Sequence, residues 1–210
     1  MAANLTQVMV MCAPTPPPHE YYLDQYLVAA ELAHLKAFVV INKSDLGPLP
    51  ALQAYYQKVG YDILSLSALT GEGFPALLQH LKTETTLILG ASGVGKSSLL
   101  NALIGTEVAK TKIISEANQK GQHTTSVSTL YHLKEGGNLI DVPGIREFHL
   151  TADHEPQRIQ GFRDFWPYLG RCRYRNCAHQ NDPGCALEAA VLKGEILKER
   201  LHHYYRMEDR

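Results

Sequence analysis

The sequence predicts an α/β fold, a mostly parallel sheet with helices on both faces, followed by a small and mostly helical C-terminal unit. Three observations carry that expectation. Apolar, β-branched runs alternate with segments of helical period through the first half of the chain. A glycine-rich run, GASGVGKS from Gly90 to Ser97, follows one predicted strand and opens a predicted helix. A second motif, NKSD from Asn42 to Asp45, sits at the end of an earlier strand, ahead of the glycine-rich run.

Taken in order, Val8 to Cys12 reads as a buried strand, broken by the proline-rich turn Pro14 to Pro18. From about Tyr21 to Lys36, Leu23, Tyr26, Leu27, Ala30 and Leu35 recur at helical spacing. Phe38 to Ile41 is a strand that delivers NKSD at its carboxyl end. A helix over about Leu49 to Lys58 leads to the strand Asp62 to Leu66 and the loop Ser67 to Gly73. Another helix, about Phe74 to Lys82, precedes the strand Thr86 to Leu89, which feeds the glycine-rich loop. Thr106 to Gln122 is polar and without hydrophobic period, which predicts a mobile loop. Ser126 to Leu133 alternates Val127, Thr129, Tyr131 and Leu133 on one face, and Gly136-Gly137 turns it back into Leu139 to Val142 as an antiparallel edge pair. The remainder turns helical, passes a cysteine-rich knot at residues 172–185, and ends in one helix from about Ala186 to Met207.

The chain has 210 residues, 45% hydrophobic and 20% charged, the composition of a globular protein with a full core. No apolar run approaches the roughly 20 residues of a membrane helix, and no basic-then-apolar leader opens the chain. These features predict a cytoplasmic protein with no membrane association. Net charge is −1, yet residues 1–155 carry 10 Lys and Arg against 14 Asp and Glu, whereas residues 156–210 carry 10 against 7. The C-terminal quarter is therefore the more anion-facing part, although scattered lysines and arginines on a helix produce the same bias.

In the run Gly90, Ala91, Ser92, Gly93, Val94, Gly95, Lys96, Ser97 and Ser98, glycines let successive backbone N–H groups point inward around phosphate oxygens at a helix N-terminus. Lys96 would reach the β- and γ-phosphates, and the Ser97 hydroxyl would hold Mg²⁺. NKSD discriminates the base, because the Asp45 carboxylate can accept from the N1–H and exocyclic amine of guanine, and adenine offers neither donor. Asn42, Lys43 and Ser44 would brace the base and its loop, with Ser67-Ala68 in the matching later loop. Taken alone, NKSD also reads as a helix-initiating turn capped by Ser44 or Asp45. Asp141 in DVPG sits where a strand meets a glycine loop, suited to a water-mediated Mg²⁺ contact, while the Gly144 N–H can meet the γ-phosphate.

In a Ras-type GTPase the phosphate loop comes first and the guanine-reading motif late; here the order is reversed. Joining the old termini and opening another loop preserves the packing, since domain termini often lie close together. The expectation is thus a circularly permuted Ras-like P-loop GTPase domain over residues 1–150, with a zinc-binding helical domain over residues 151–210. Cys172, Cys177, His179 and Cys185 supply three thiolates and one imidazole within fourteen residues, the donor set of a closed structural zinc site. A disulfide with a spare thiol, or unpaired buried cysteines, are the alternatives, and a reducing compartment disfavours the first. Cys12, in an apolar strand, reads as a core residue. Arg171, Arg173 and Arg175 interleave with Tyr174, which suits either nucleic-acid contact or a solvated loop. His202 and His203 read as packing or surface residues.

These motifs in this order, GASGVGKSS, NKSD, GQHTT, DVPGIREF and the cysteine cluster, resemble the ribosome small-subunit-dependent GTPase family known as RsgA or YjeQ. The resemblance covers nearly all of residues 5–205. It implies GTP and GDP as ligands, Mg²⁺, one structural zinc ion, and hydrolysis stimulated by the small (30S) ribosomal subunit during its late maturation. Contact with 16S rRNA is implied too, and we expect a monomer. Of Thr124 and Thr125, the resemblance favours Thr125 as the switch threonine on Mg²⁺. Ras-like enzymes orient water with a glutamine after DxxG; Ile145 stands there, so unstimulated turnover should be slow. The resemblance implies His123 as the catalytic residue instead, although a lone loop histidine is also an ordinary surface residue. A GTP-gated binding module with negligible catalysis is the competing function, and a zinc-dependent RNA-binding module a further one. The family usually carries an N-terminal OB-fold that binds rRNA; Met1 lies just before the first GTPase strand, so the resemblance does not extend to that module.

Overall fold

The computed structural model describes residues 4–105, 128–142, 152–180 and 182–208. The expected mobile loop, His123, Thr124, Thr125, Gly144 and Ile145 lie outside the described residues.

Among the described residues, six strands form one sheet in the order β3 (Asp62–Ser65), β2 (Lys36–Ile41), β1 (Gln7–Cys12), β4 (Thr85–Gly90), β6 (Asn138–Asp141) and β5 (Thr129–His132). Each pairing is parallel except β5 with β6, the antiparallel edge pair expected from the alternation and the Gly-Gly turn. The register aligns Val10 with Val39 and with Leu89, so three apolar runs stack at the centre of the sheet. β1 is buried at every position, which is why it reads as a continuous apolar run rather than an alternating one.

Helices α3 (Phe74–Leu81) and α4 (Lys96–Ile104) cover one face, where Leu77, Leu81, Leu99 and Leu100 pack on Met9, Met11 and Phe38. Helices α1 (Glu20–Leu32) and α2 (Pro50–Val59) cover the other, where Leu23, Leu27, Leu52 and Tyr56 pack on Val8, Val10 and Val39. α1 stops at Leu32, four residues short of the expected Lys36. His34 takes a left-handed φ of 55°, and its N–H closes on the Glu31 carbonyl, so a histidine fills the terminating role usually taken by glycine.

The C-terminal part begins with two 3-10 helices, Ala152–Gly161 and Arg163–Tyr168. The single terminal helix expected from residue 186 to 207 is instead two, α5 (Ala186–Leu192) and α6 (Lys198–Glu208). Gly194, at φ +71°, ends α5, with the Glu195 N–H returning to the Ala190 carbonyl. The break lets Leu187, Ala190, Ile196, Leu201 and Tyr204 face one core with Phe162 and Phe165.

That core also contains Tyr21 and Val28 of α1, so α1 is buried from both sides. Between α1 and α6 lies a polar joint. Arg200, with no exposed surface, pairs with Asp24 at 2.9 Å and with Asp164 at 2.8 Å. The Asp24 carboxylate also meets His203 Nδ1 at 2.6 Å and accepts from the hydroxyls of Tyr55 at 3.0 Å and Tyr56 at 3.2 Å. Burial alone would raise the Asp24 pKa, but Arg200 and His203 outweigh it and hold it below its ordinary value. No helix among the described residues is long and apolar enough to cross a membrane.

Candidate functional site

Four loops meet at the carboxyl ends of β1, β2, β3 and β4, the place where open α/β sheets bind ligands. β4 ends at Gly90 and the chain turns through Ala91, Ser92 and Gly93, all three exposed, then buried Val94, into α4 at Lys96. Gly95 has φ +95°, and a Cβ there would lie 2.3 Å from Asn42 Nδ2, so any other residue would have to displace that side-chain amide. Ser97 and Ser98 lie exposed on the first turn of α4.

The NKSD loop is clipped to the phosphate loop by its first two residues. Buried Asn42 donates from Nδ2 to the Val94 carbonyl at 2.9 Å and accepts the Ala68 N–H on Oδ1 at 3.0 Å. Lys43, at a left-handed φ of 60°, donates from Nζ to the carbonyls of Gly93 and Thr15, both at 2.7 Å. One side-chain amide and one ammonium thus connect four backbone segments. Ser44 starts a single 3-10 turn, Ser44–Leu46, its N–H on the Leu66 carbonyl. Ser67 is fully buried and donates its hydroxyl to Asp45 Oδ1 at 2.5 Å. It therefore orients the Asp45 carboxylate rather than facing the cleft.

The cleft between these loops has a volume of about 380 Å³ and is lined by Asn42, Lys43, Asp45 and Ala68 on one side and Gly95 and Ser98 on the other. Leu46 and Leu69 add exposed apolar wall beside the carboxylate. Sequence reasoning passed over both, and it passed over Thr15 and Pro16, which the proline run marked only as a chain break.

Lys96 Nζ donates to the carbonyls of Gly90 at 2.6 Å and Ala91 at 2.9 Å, inside the turn of its own loop. Burial lowers its pKa, with the Asp141 charge opposing. Burial likewise raises Asp141, at the end of β6, with Lys96 opposing. A cation and a carboxylate, both short of solvation at the glycine-rich loop, suit a phosphate and a divalent cation.

In the C-terminal part, the ligand atoms of Cys172, Cys177, His179 and Cys185 all lie within 4.8 Å of one another. His179 Nδ1 stands 3.5, 3.6 and 3.5 Å from the sulfurs of Cys172, Cys177 and Cys185. One imidazole nitrogen has a single proton or lone pair and cannot bond three sulfurs at once. A tetrahedron with metal–sulfur legs of about 2.3 Å and metal–nitrogen legs of about 2.05 Å has S···N edges of about 3.6 Å, so the donor set fits a closed zinc site. Burial pushes the Cys185 thiol above its ordinary range, so the thiolate form needs a positive charge at the centre. The Ala186 N–H, 3.3 Å from Cys172 Sγ, offers one hydrogen bond to a thiolate.

The family model for the RsgA GTPase matches residues 1–151. The chain belongs to the RsgA GTPase family. Among curated relatives, the small ribosomal subunit biogenesis GTPase RsgA of Chromohalobacter salexigens is 44% identical over 214 residues, covering 100% of this chain and 63% of the relative. The protein of that name from Actinobacillus pleuropneumoniae is 45% identical over 213 residues, covering 99% and 62%. The chain thus spans a little under two thirds of the length of these relatives. The crystal structure of YjeQ from Thermotoga maritima superposes with a TM-score of 0.78 at 32% identity, covering 98% of this chain and 70% of that one. YloQ, a circularly permuted GTPase, superposes with the same TM-score of 0.78 at 28% identity, covering 98% and 68%. The permuted order inferred from NKSD preceding the glycine-rich loop is the order of this RsgA fold. A GTPase family implies GTP or GDP and Mg²⁺ in the phosphate loop, and the loop described above fits them.

Proposed function

We propose that this chain is a GTP-hydrolysing switch acting in late maturation of the small (30S) ribosomal subunit, with its turnover stimulated by that subunit. The observation that carries the reading is the pair of clips from Asn42 and Lys43, which hold a base-reading carboxylate and a phosphate loop in one fixed geometry. Asp45, oriented by Ser67, reads the guanine edge. The amides from Gly90 to Ser98 and Lys96 bind the phosphates; Ser97 and Thr125 ligate Mg²⁺ and Asp141 reaches it through water. Gly144 meets the γ-phosphate, and His123 orients or activates the attacking water, a role the aliphatic Ile145 cannot fill.

Residues 1–150 form the nucleotide domain and residues 151–210 the helical domain around one structural zinc ion held by Cys172, Cys177, His179 and Cys185. Arg171, Arg173, Arg175 and Tyr174 are all exposed, and the Arg173 guanidinium lies 5.4 Å from the Tyr174 ring, which supports contact with 16S rRNA. The protein works in the cytoplasm as a monomer.

Steady-state GTP hydrolysis, measured alone and with excess purified small subunits, tests the reading. Stimulated turnover is expected, falling about a hundredfold or more in His123→Ala. A rate unmoved by subunits would reduce the chain to a GTP-gated binding module. A stimulated rate that survives His123→Ala would remove that residue from catalysis.

A further inference from the structure

The ten residues Thr15 to Asp24 touch the phosphate loop at one end and α6 at the other. At the first end, the Thr15 carbonyl shares the Lys43 ammonium with the Gly93 carbonyl, at 2.7 Å each. A Cβ on Gly93 would lie 3.5 Å from Pro16 Cδ, so the proline ring flanks the loop. Five residues on, fully buried Tyr21 carries the Arg206 guanidinium 4.1 Å above its ring and directs its hydroxyl to the Arg206 carbonyl at 3.5 Å. One helical turn later, Asp24 takes Arg200 at 2.9 Å and His203 at 2.6 Å. α6 in turn reaches the cysteine cluster, where the Tyr205 hydroxyl donates to the His179 carbonyl.

We propose that Thr15–Asp24 is a strap through which nucleotide in the phosphate loop tightens α6, and with it the arginine-bearing cysteine loop. The inference rests on the nucleotide reading above. A bound phosphate fixes the amides around Gly93, so the carbonyl on the other side of that residue, the Lys43 ammonium and the Thr15 carbonyl lose freedom together. The segment is too short to absorb that ordering before Tyr21 and Asp24, whose partners on α6 are half-buried Arg206 and buried Arg200 and His203. Binding then costs less when α6 is already docked, which is a coupling between two sites, and it is reciprocal: docking of α6 strengthens nucleotide binding by the same factor. Such a strap would connect the nucleotide state to the exposed arginine surface without passing through the sheet.

Amide hydrogen exchange, with and without saturating GDP and Mg²⁺, tests it on the whole chain. In the parent protein GDP is expected to slow exchange in both α4 and α6, the latter about tenfold, within the usual range of coupling between sites. Arg206→Met removes the cation over Tyr21, and Asp24→Asn weakens the joint with little change of shape. Each is expected to cut the α6 response to about threefold or less while α4 still slows, and to weaken GDP affinity by the factor lost. Slowing of α4 with no change in α6 would overturn the strap, as would a full α6 response in both variants. If α4 itself did not slow, the nucleotide reading would fall first.

Discussion

The nucleotide cleft and the joint between α1 and α6 are both built from charged side chains, yet they obey opposite rules. At the cleft, Asp45 and Ser98 sit at the surface with Lys43 half-buried, and the geometry comes from backbone: left-handed glycines and carbonyls gripped by Asn42 and Lys43. At the joint, Asp24 and Arg200 have no exposed surface, and the geometry comes from side chains satisfying one another. A surface site keeps the Asp45 carboxylate exposed and ready for a ligand. A buried joint has no water to fall back on, so each group depends on every other. Function and cohesion are thus carried by the same residue types in different dielectric surroundings.

Breaking the joint should have the largest effect on stability. Arg200→Met takes the guanidinium from buried Asp24, leaving it only His203 and two tyrosine hydroxyls, and from half-buried Asp164, and should cost about 3–5 kcal/mol in urea unfolding, while Lys96→Ala should cost little. A loss below about 1 kcal/mol for Arg200→Met would mean that the joint is wetter than its geometry shows.

Next is selectivity at the cleft. Asp45→Asn replaces two acceptors by one acceptor and one donor, which suits xanthine, whose C2 carbonyl replaces the guanine amine. GDP affinity should fall by about a hundredfold or more while xanthosine diphosphate gains, as competition binding would register. An unchanged preference for guanine would take Asp45 out of base reading. Gly95→Ala should be smaller, about 1–3 kcal/mol, from the strained φ and the contact with Asn42 Nδ2, and should weaken nucleotide binding as well as stability. If nucleotide affinity were untouched, the clip between the two loops would not be tight.

Acid is the gentlest probe. Asp24 is held below its ordinary value of 3.8, so its contribution is complete above that value and is lost as pH falls through the lower, folded pKa. Acid unfolding monitored by Tyr fluorescence should therefore steepen below about pH 4, and Asp24→Asn should flatten the profile there. A variant as acid-sensitive as the parent would place the responsible carboxylate elsewhere.

The two regions also differ in how far they can be read from sequence. NKSD, GASGVGKS and the cysteine spacing are local words: each packs its chemistry into four to fourteen residues, so residue type and spacing carry the meaning. The joint has no such word. Asp24 and His203 are 179 positions apart, and each alone is an ordinary helical polar residue. Reading His203 as packing or surface was consistent with its type but silent about its partner. The helix ends slipped for a similar reason. His34 in a left-handed conformation is a stop signal that residue type does not announce, and Gly194 was passed over inside a run of helical period. Thr15 acts through its carbonyl, a group every residue has, so no sequence pattern could single it out.

Residue order alone determined the alternating α/β plan, the permuted arrangement, the glycine-rich and NKSD loops and the four-donor cluster. Those features depend on backbone conformations and donor chemistry that neighbours along the chain set by themselves. Tertiary structure decided that Ser67 serves Asp45, that Lys43 joins the phosphate loop to the proline-rich segment, and that α1 is locked between the sheet and α6. These depend on which distant groups are excluded from water together, and burial is a property of the packed molecule rather than of any segment of its chain.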